Sequence, residues 1–216
     1  MDFIRTFFVL TLVCGSLLMY AQPGIELHGG LTSSIIKVKA ENGNSSSPPS
    51  FVRRYSFHLG LLASFPVSEL SAIETGLYLS SRGTTVENNA FWGFDITLSS
   101  ISINYIEVPF LFTLEPGGFK LFAGPQYSIL ASAKAEGEDI KRAFETGNLE
   151  LRYGFAFQAN KFGGRLSFIN GLTDIYKNPE WRWRNNAYTI SITYALVKSK
   201  STAKSKKSDV PHRTLD

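Results

Sequence analysis

From Ile25 onward, apolar side chains recur at every second position. Ile25, Leu27, Leu31 and Ile35 alternate with Glu26, His28, Thr32 and Ser34. Tyr55, Phe57, Leu59, Leu61, Ala63 and Phe65 alternate with Ser56, His58, Gly60 and Ser64. The same period runs through Ile73–Ser80, Leu149–Gln158 and Tyr188–Leu196. A period of two marks an extended strand with one apolar and one polar face, whereas a helical face would repeat every three to four residues. Residues 101–114, 119–132 and 163–172 read as strands of less regular phase, which brings the predicted total to eight.

The connections between these strands alternate in length. Short ones fall at Pro66–Glu69, Glu115–Gly118 and about Asn160–Gly163, all rich in turn-forming residues. Long ones cover about 37–53, 82–100, 133–147 and 173–186. Strict alternation places every long loop at one end and every tight turn at the other, together with both chain ends. The prediction is an all-β fold, an eight-stranded antiparallel up-and-down β-barrel spanning 22–197.

Two barrels of this size have opposite faces. A soluble, secreted lipid-binding barrel encloses an apolar cavity behind a polar exterior. A transmembrane barrel turns its apolar side to lipid and its polar side inward. Here the polar face consists mainly of small residues with a few ionisable groups, and the apolar face is uniformly large. Small side chains fit a narrow lumen and large ones fit a lipid-facing wall, so the membrane barrel is expected, with the soluble barrel as the alternative.

The N-terminus supports export. Arg5, the apolar run from Phe7 to Tyr20 and the Ala21-Gln22 junction have the layout of a secretory signal peptide over residues 1–21. The run is short for a membrane helix and no basic stop follows it. A lipoprotein reading would modify Cys14, but Val13 stands where a small residue is wanted. Cleavage removes Cys14, the sole cysteine, so neither a disulfide scaffold nor a cysteine zinc site is expected.

Composition adds 17 Phe, 9 Tyr and 3 Trp in 216 residues, an aromatic load typical of strands and interfaces. The net charge of +4 is local. Residues 198–216 carry six Lys/Arg against Asp209 and Asp216, and the body from 22 to 197 is neutral. Nucleic acid is therefore not an expected partner. The Lys/Ser tail reads as a disordered periplasmic extension, and residues 40–50, with Asn-Gly-Asn, three serines and Pro48-Pro49, read as a mobile loop tip.

The segment Tyr105-Ile106-Glu107-Val108-Pro109-Phe110-Leu111-Phe112 resembles the Tyr-Leu-Glu-Ile-Pro-Leu pattern of the PorT-like outer-membrane barrels of Bacteroidota. Glu74–Tyr78, Leu121–Pro125 and Gly171–Ile175 are similar to that family in the same order, and the resemblance covers about residues 24–197. It implies an outer-membrane barrel of a Gram-negative bacterium with both termini periplasmic, and it raises an accessory role in protein secretion. Such barrels usually end on their last strand, with a terminal aromatic read by the barrel assembly machinery. Here residues follow Val197, so Tyr194 or Leu196 would serve internally. The expected partners are outer-membrane lipids, the assembly machinery during biogenesis, and secretion or envelope proteins at the surface loops or basic tail.

By parity, Glu26, His28, His58, Glu74, Glu107, Glu150, Arg152 and Arg165 point into the lumen. An eight-stranded barrel is only wide enough for side chains to fill, so these predict a salt-bridged plug, with a narrow proton or ion path as the alternative. A lipid hydrolase would need a Ser, a base and an orienting acid in reach. Both barrel histidines lie on the lumenal side, and no local signature surrounds a serine, so no catalytic residue is assigned. Without a phosphate loop, a metal-spaced His pair or a Cys ligand, no cofactor and no metal are expected. Phe91, Trp92, Phe94, Trp181 and Trp183 sit near the long loops, where they would form an aromatic girdle at the lipid boundary or a binding tip. Phe65, Phe110, Phe112, Phe119, Phe162 and Tyr194 would form the belt at the opposite rim.

Overall fold

The structure, a computed structural model, describes residues 23–40, 51–86, 99–177 and 181–198. The signal segment, the tail beyond Lys198, the tip 41–50 and Phe91, Trp92 and Phe94 lie outside the described residues.

Eight long strands form the wall: β1 (Gly24–Ala40), β2 (Phe51–Pro66), β3 (Ser71–Val86), β4 (Ser99–Leu114), β5 (Phe119–Ala135), β7 (Gly147–Ala159), β8 (Phe162–Gly171) and β9 (Trp181–Val197). The two-residue β6 (Glu138–Asp139) folds back on the end of β5, and a single 3-10 turn follows at Lys141–Ala143. Each long strand pairs antiparallel with its neighbours in sequence, and β1 pairs with β9 from Ile25↔Val197 to Ala40↔Trp181, which closes the sheet. The expected eight-stranded up-and-down barrel is the observed fold.

The strands run further than the alternation suggested. The long connections shrink to 41–50, 87–98, the β6 excursion at 136–146, and 172–180. The reason is physical. A strand needs about 9–11 residues to cross a bilayer, and β1, β5 and β9 have 17 each. Above the hydrocarbon both faces can be polar, so the apolar/polar rhythm fades while backbone pairing continues.

The two faces are inverted relative to a water-soluble protein. Phe57 is 74% exposed and Ile192 71%, whereas Arg82 and Glu150 are fully buried. On β9 the outward apolar series from Leu196 to Tyr188 covers about 27 Å of strand, or about 20 Å along the axis at the usual tilt, close to the lipid-facing band of such barrels. An exterior of this kind is stable only against lipid. The soluble alternative, with a polar outside and an apolar cavity, is not the structure this chain adopts. Phe110, Phe112, Phe119 and Phe162 stand exposed near the tight turns, with Phe119 stacked on Phe155 and Phe162 tilted against Tyr194.

Candidate functional site

Every second side chain enters a lumen that is charged and filled. Among the described residues, four cations (Arg82, Lys120, Arg152, Arg165) and four carboxylates (Glu26, Glu74, Glu107, Glu150) are buried in it, and their formal charges balance. All eight residues predicted from parity face inward. They are joined by two cations that parity did not supply.

From the tight-turn end upward, the first layer is Lys120, whose Nζ lies 2.9 Å from Glu26 Oε1, 3.3 Å from Glu115 and 3.5 Å from Glu74. This end opens into a polar cavity of about 350 Å³. Above it Arg165 donates to Glu74 Oε2 at 2.8 Å and its guanidinium carbon lies over the Phe122 ring, 3.6 Å from its centroid. Arg152 lies over the Tyr78 ring at 4.2 Å and donates to Gln126 Oε1 at 2.9 Å. Tyr78 leans along the wall over Gly60, its facing position on β2, and so reaches His28 on β1. A Cβ at Gly60 would collide with the Tyr78 ring.

The tightest layer surrounds Arg82, whose guanidinium bridges Glu107 at 2.5 Å and Glu150 at 2.6 Å. The amide of Gln126 donates to both carboxylates, at 3.0 and 2.7 Å. Ser128 and Asn148 donate to Glu150, and Ser80 donates to Glu107. Each carboxylate thus has a cation and further donors, the condition under which buried charge is tolerated.

The sequence assigns Arg82 to the long connection that starts at 82, and so not to the lumen. In the structure β3 continues to Val86, and Gly83 (φ +139) lets it pass close to β4, with Ser34 hydrogen-bonded to both Gly83 N and O. Lys120 lay in a strand of unclear phase. A signal for both was present: four inward carboxylates against two arginines leave a deficit of two cations in a neutral barrel body.

The histidines sit between these layers. Tyr78 Oη lies 3.1 Å from His28 Nδ1, and His28 Nε2 is 3.5 Å from Glu26. His58 contacts Thr32 Oγ1 at 2.9 Å and Ser191 Oγ at 2.8 Å. A Ser–His pair therefore exists, but its third member is a threonine and the serine is buried within the lumen.

At the long-loop end the chemistry changes. Ile36, Ile103, Tyr105, Leu130, Ala133, Phe144 and Ile175 form an apolar cluster. Trp183 stacks on Tyr176 at 4.6 Å and meets Phe51 and Phe144 edge-on. Trp183 is thus not part of an outward girdle. Its strand position has the inward parity of Asn185 and Ala187, and the indole packs under the 172–177 segment. Trp181 shares that parity and is half-buried. The segments 136–146 and 172–177 are tied together by the Phe144↔Tyr176 bridge and by Lys177 N to Ala143 O, and they lie over this cluster as a cap. Among the described residues no group of three His, Cys, Asp or Glu could hold a metal ion.

A closed antiparallel barrel with a lipid-facing exterior and a charged interior defines the class, an integral membrane β-barrel. The chain belongs to the outer membrane protein beta-barrel domain family, whose model matches residues 20–177. It is an outer-membrane barrel. Among solved structures it is similar to the attachment invasion locus protein Ail of Yersinia pestis (11% identity, 81% of this chain and 99% of that one, TM-score 0.43). It is also similar to Neisserial surface protein A (8% identity, 79% and 96%, TM-score 0.49) and to OprG of Pseudomonas aeruginosa (11%, 82% and 98%, TM-score 0.47). No curated protein matches the sequence.

Proposed function

We propose that this is a non-enzymatic outer-membrane protein whose lumen is a rigid plug and which acts through the surfaces at its two ends, in a structural or interaction role. The observation that carries this reading is the bridging of Arg82 by Glu107 and Glu150 beneath the apolar cap, which leaves the lumen filled across its width. The His58–Ser191 pair supports the non-enzymatic reading, since it has no orienting acid and lies away from any lipid substrate. The long loops face outward and both ends of the barrel domain face the periplasm, the usual arrangement for such barrels.

The test is conductance in planar bilayers. The folded protein should show no discrete openings. Openings that disappear in Glu74→Gln or Arg152→Gln would establish the ion-path alternative instead. Orientation is read separately, by protease access to 41–50 in intact cells with protection of a tag beyond Lys198.

The ordered motifs favour a second reading, a PorT-like accessory of protein secretion in a bacterium of the Bacteroidota. Within the motif, Tyr105 and Glu107 face inward and Glu107 serves the plug, while Phe110 and Phe112 face lipid. Loss of surface-protein export in a deletion strain would support this role. Unchanged export would remove it.

A further inference from the structure

The mouth at the tight-turn end has a charge balance that the plug above it does not share. Its cavity of about 350 Å³ is lined by three carboxylates, Glu26, Glu69 and Glu115, and by one cation of the barrel wall, Lys120. Lys120 Nζ lies 2.9 Å from Glu26, 3.3 Å from Glu115 and 3.5 Å from Glu74, so a single ammonium is shared among them. Glu74 has a cation of its own in Arg165, at 2.8 Å. Glu69 is exposed on the β2–β3 turn, and among the described residues no cation pairs with it. Three carboxylates against one wall cation leave the lining two positive charges short.

A buried acceptor accompanies this deficit. Ser64 lines the cavity, is 6% exposed, and its hydroxyl has no hydrogen-bond partner among the described residues. Gln158 and Asn160 add amide oxygens to the same lining. A hydroxyl and amide oxygens beside carboxylates suit an ammonium, which carries three donors and no acceptor. The chain itself leads such groups to this place. Val197 and Lys198 line the cavity, and the sequence runs on through Lys200, Lys204, Lys206 and Lys207 with no carboxylate before Asp209. At about 3.5 Å per residue Lys200 can stand about 7 Å from Lys198 and Lys207 about 30 Å, so each can turn back to the mouth. A short link of this kind holds its segment near the site at about millimolar effective concentration.

We propose that the segment 199–207 folds back and docks on this mouth, with a lysine ammonium seated among Glu26, Glu69, Glu115 and Ser64. A basic segment of another molecule offers the same chemistry, but it lacks the tether that makes a modest affinity sufficient. The docked segment covers the cavity and neutralises its lining. The lysines it commits are withdrawn from any anionic partner at this end, so mouth and tail are alternative contact surfaces. The inference concerns one chain alone. It depends neither on which side of the membrane the mouth faces nor on whether the lumen conducts.

The experiment uses the full folded chain in an uncharged detergent, treated with a water-soluble carbodiimide, which joins a lysine directly to a carboxylate it touches. Peptide mapping should find links from Lys200, Lys204, Lys206 or Lys207 to Glu69 or Glu115. In a mixture of isotopically light and heavy chains those links should join residues of the same chain. Trypsin gives a second reading. Cleavage after the tail lysines follows the undocked fraction, so it should be about tenfold slower in the parent than in Glu69→Gln/Glu115→Gln, and the difference should vanish at about 0.5 M salt. The control Glu138→Gln/Glu145→Gln, at the far end of the barrel, should be cleaved as the parent is. If the double variant fails to fold, Glu69→Gln alone, on its exposed turn, gives the same reading with about a threefold change. Equal cleavage of parent and variant, or the absence of links to the mouth carboxylates, overturns the proposal. Links only between light and heavy chains overturn the assignment to the chain's own tail and give the site to a basic segment of another molecule.

Discussion

The barrel has two interiors of opposite chemistry, one above the other. Among the described residues of the lumen, four cations and four carboxylates balance each other around Tyr78 and Gln126. Under the long loops, Phe144, Ile175, Tyr176 and Trp183 pack on Ile36, Ile103 and Leu130 as a small ordinary hydrophobic core. The solvent outside each region explains the contrast. Within the bilayer, turning an apolar side chain inward gains nothing, because lipid already accommodates it, while a polar one is better off inside. Above the bilayer the loops face water, and burying their aromatics gives the usual hydrophobic gain. The lumen is therefore specified by hydrogen bonds and charge, and the cap by area.

This contrast can be broken most strongly at Arg82. Arg82→Met leaves Glu107 and Glu150 without their shared cation and should cost about 3–5 kcal/mol, measured by urea unfolding in micelles. Adding Glu107→Gln should recover part of the loss. Phe144→Ala should cost the cap about 3 kcal/mol and expose 136–146 to protease, while the barrel keeps its heat-resistant mobility on gels. Loss of the folded barrel in Phe144→Ala would mean that the two interiors are one cooperative unit. Gly60→Ala forces the Tyr78 ring aside and should cost about 1–2 kcal/mol, shown by a lower thermal midpoint. Lys120→Gln should cost less than Arg82→Met, about 1–2 kcal/mol in the same unfolding assay, because Glu74 keeps Arg165 as a second cation and Glu115 is partly exposed.

Much of this arrangement was legible along the chain. Parity placed Glu26, His28, His58, Glu74, Glu107, Glu150, Arg152 and Arg165 inside, because a strand crossing lipid has one permitted face for each chemistry. The same reasoning lost Arg82, which lies where the pattern stops being enforced. It misplaced Trp183 for the same reason: a tryptophan beside arginines near a long loop has the composition of a lipid-boundary girdle. Only the parity of β9 together with the fold-back of 172–177 turns it inward.

Sequence alone determined the class of molecule. Alternation with period two, four long connections interleaved with three short ones, and large residues on one face suffice for a membrane barrel, since hydrocarbon tolerates neither unpaired backbone nor charge. Tertiary structure decided which charges meet. Arg82 and Glu150 are 68 positions apart, and Arg165 and Glu74 are 91 apart. Those pairings come from strand register and from the way a narrow closed sheet brings opposite walls within one side chain's reach. The mouth at the tight-turn end follows the same rule. Glu26, Glu69 and Glu115 are unremarkable in sequence, and only the closed barrel sets them around one cavity.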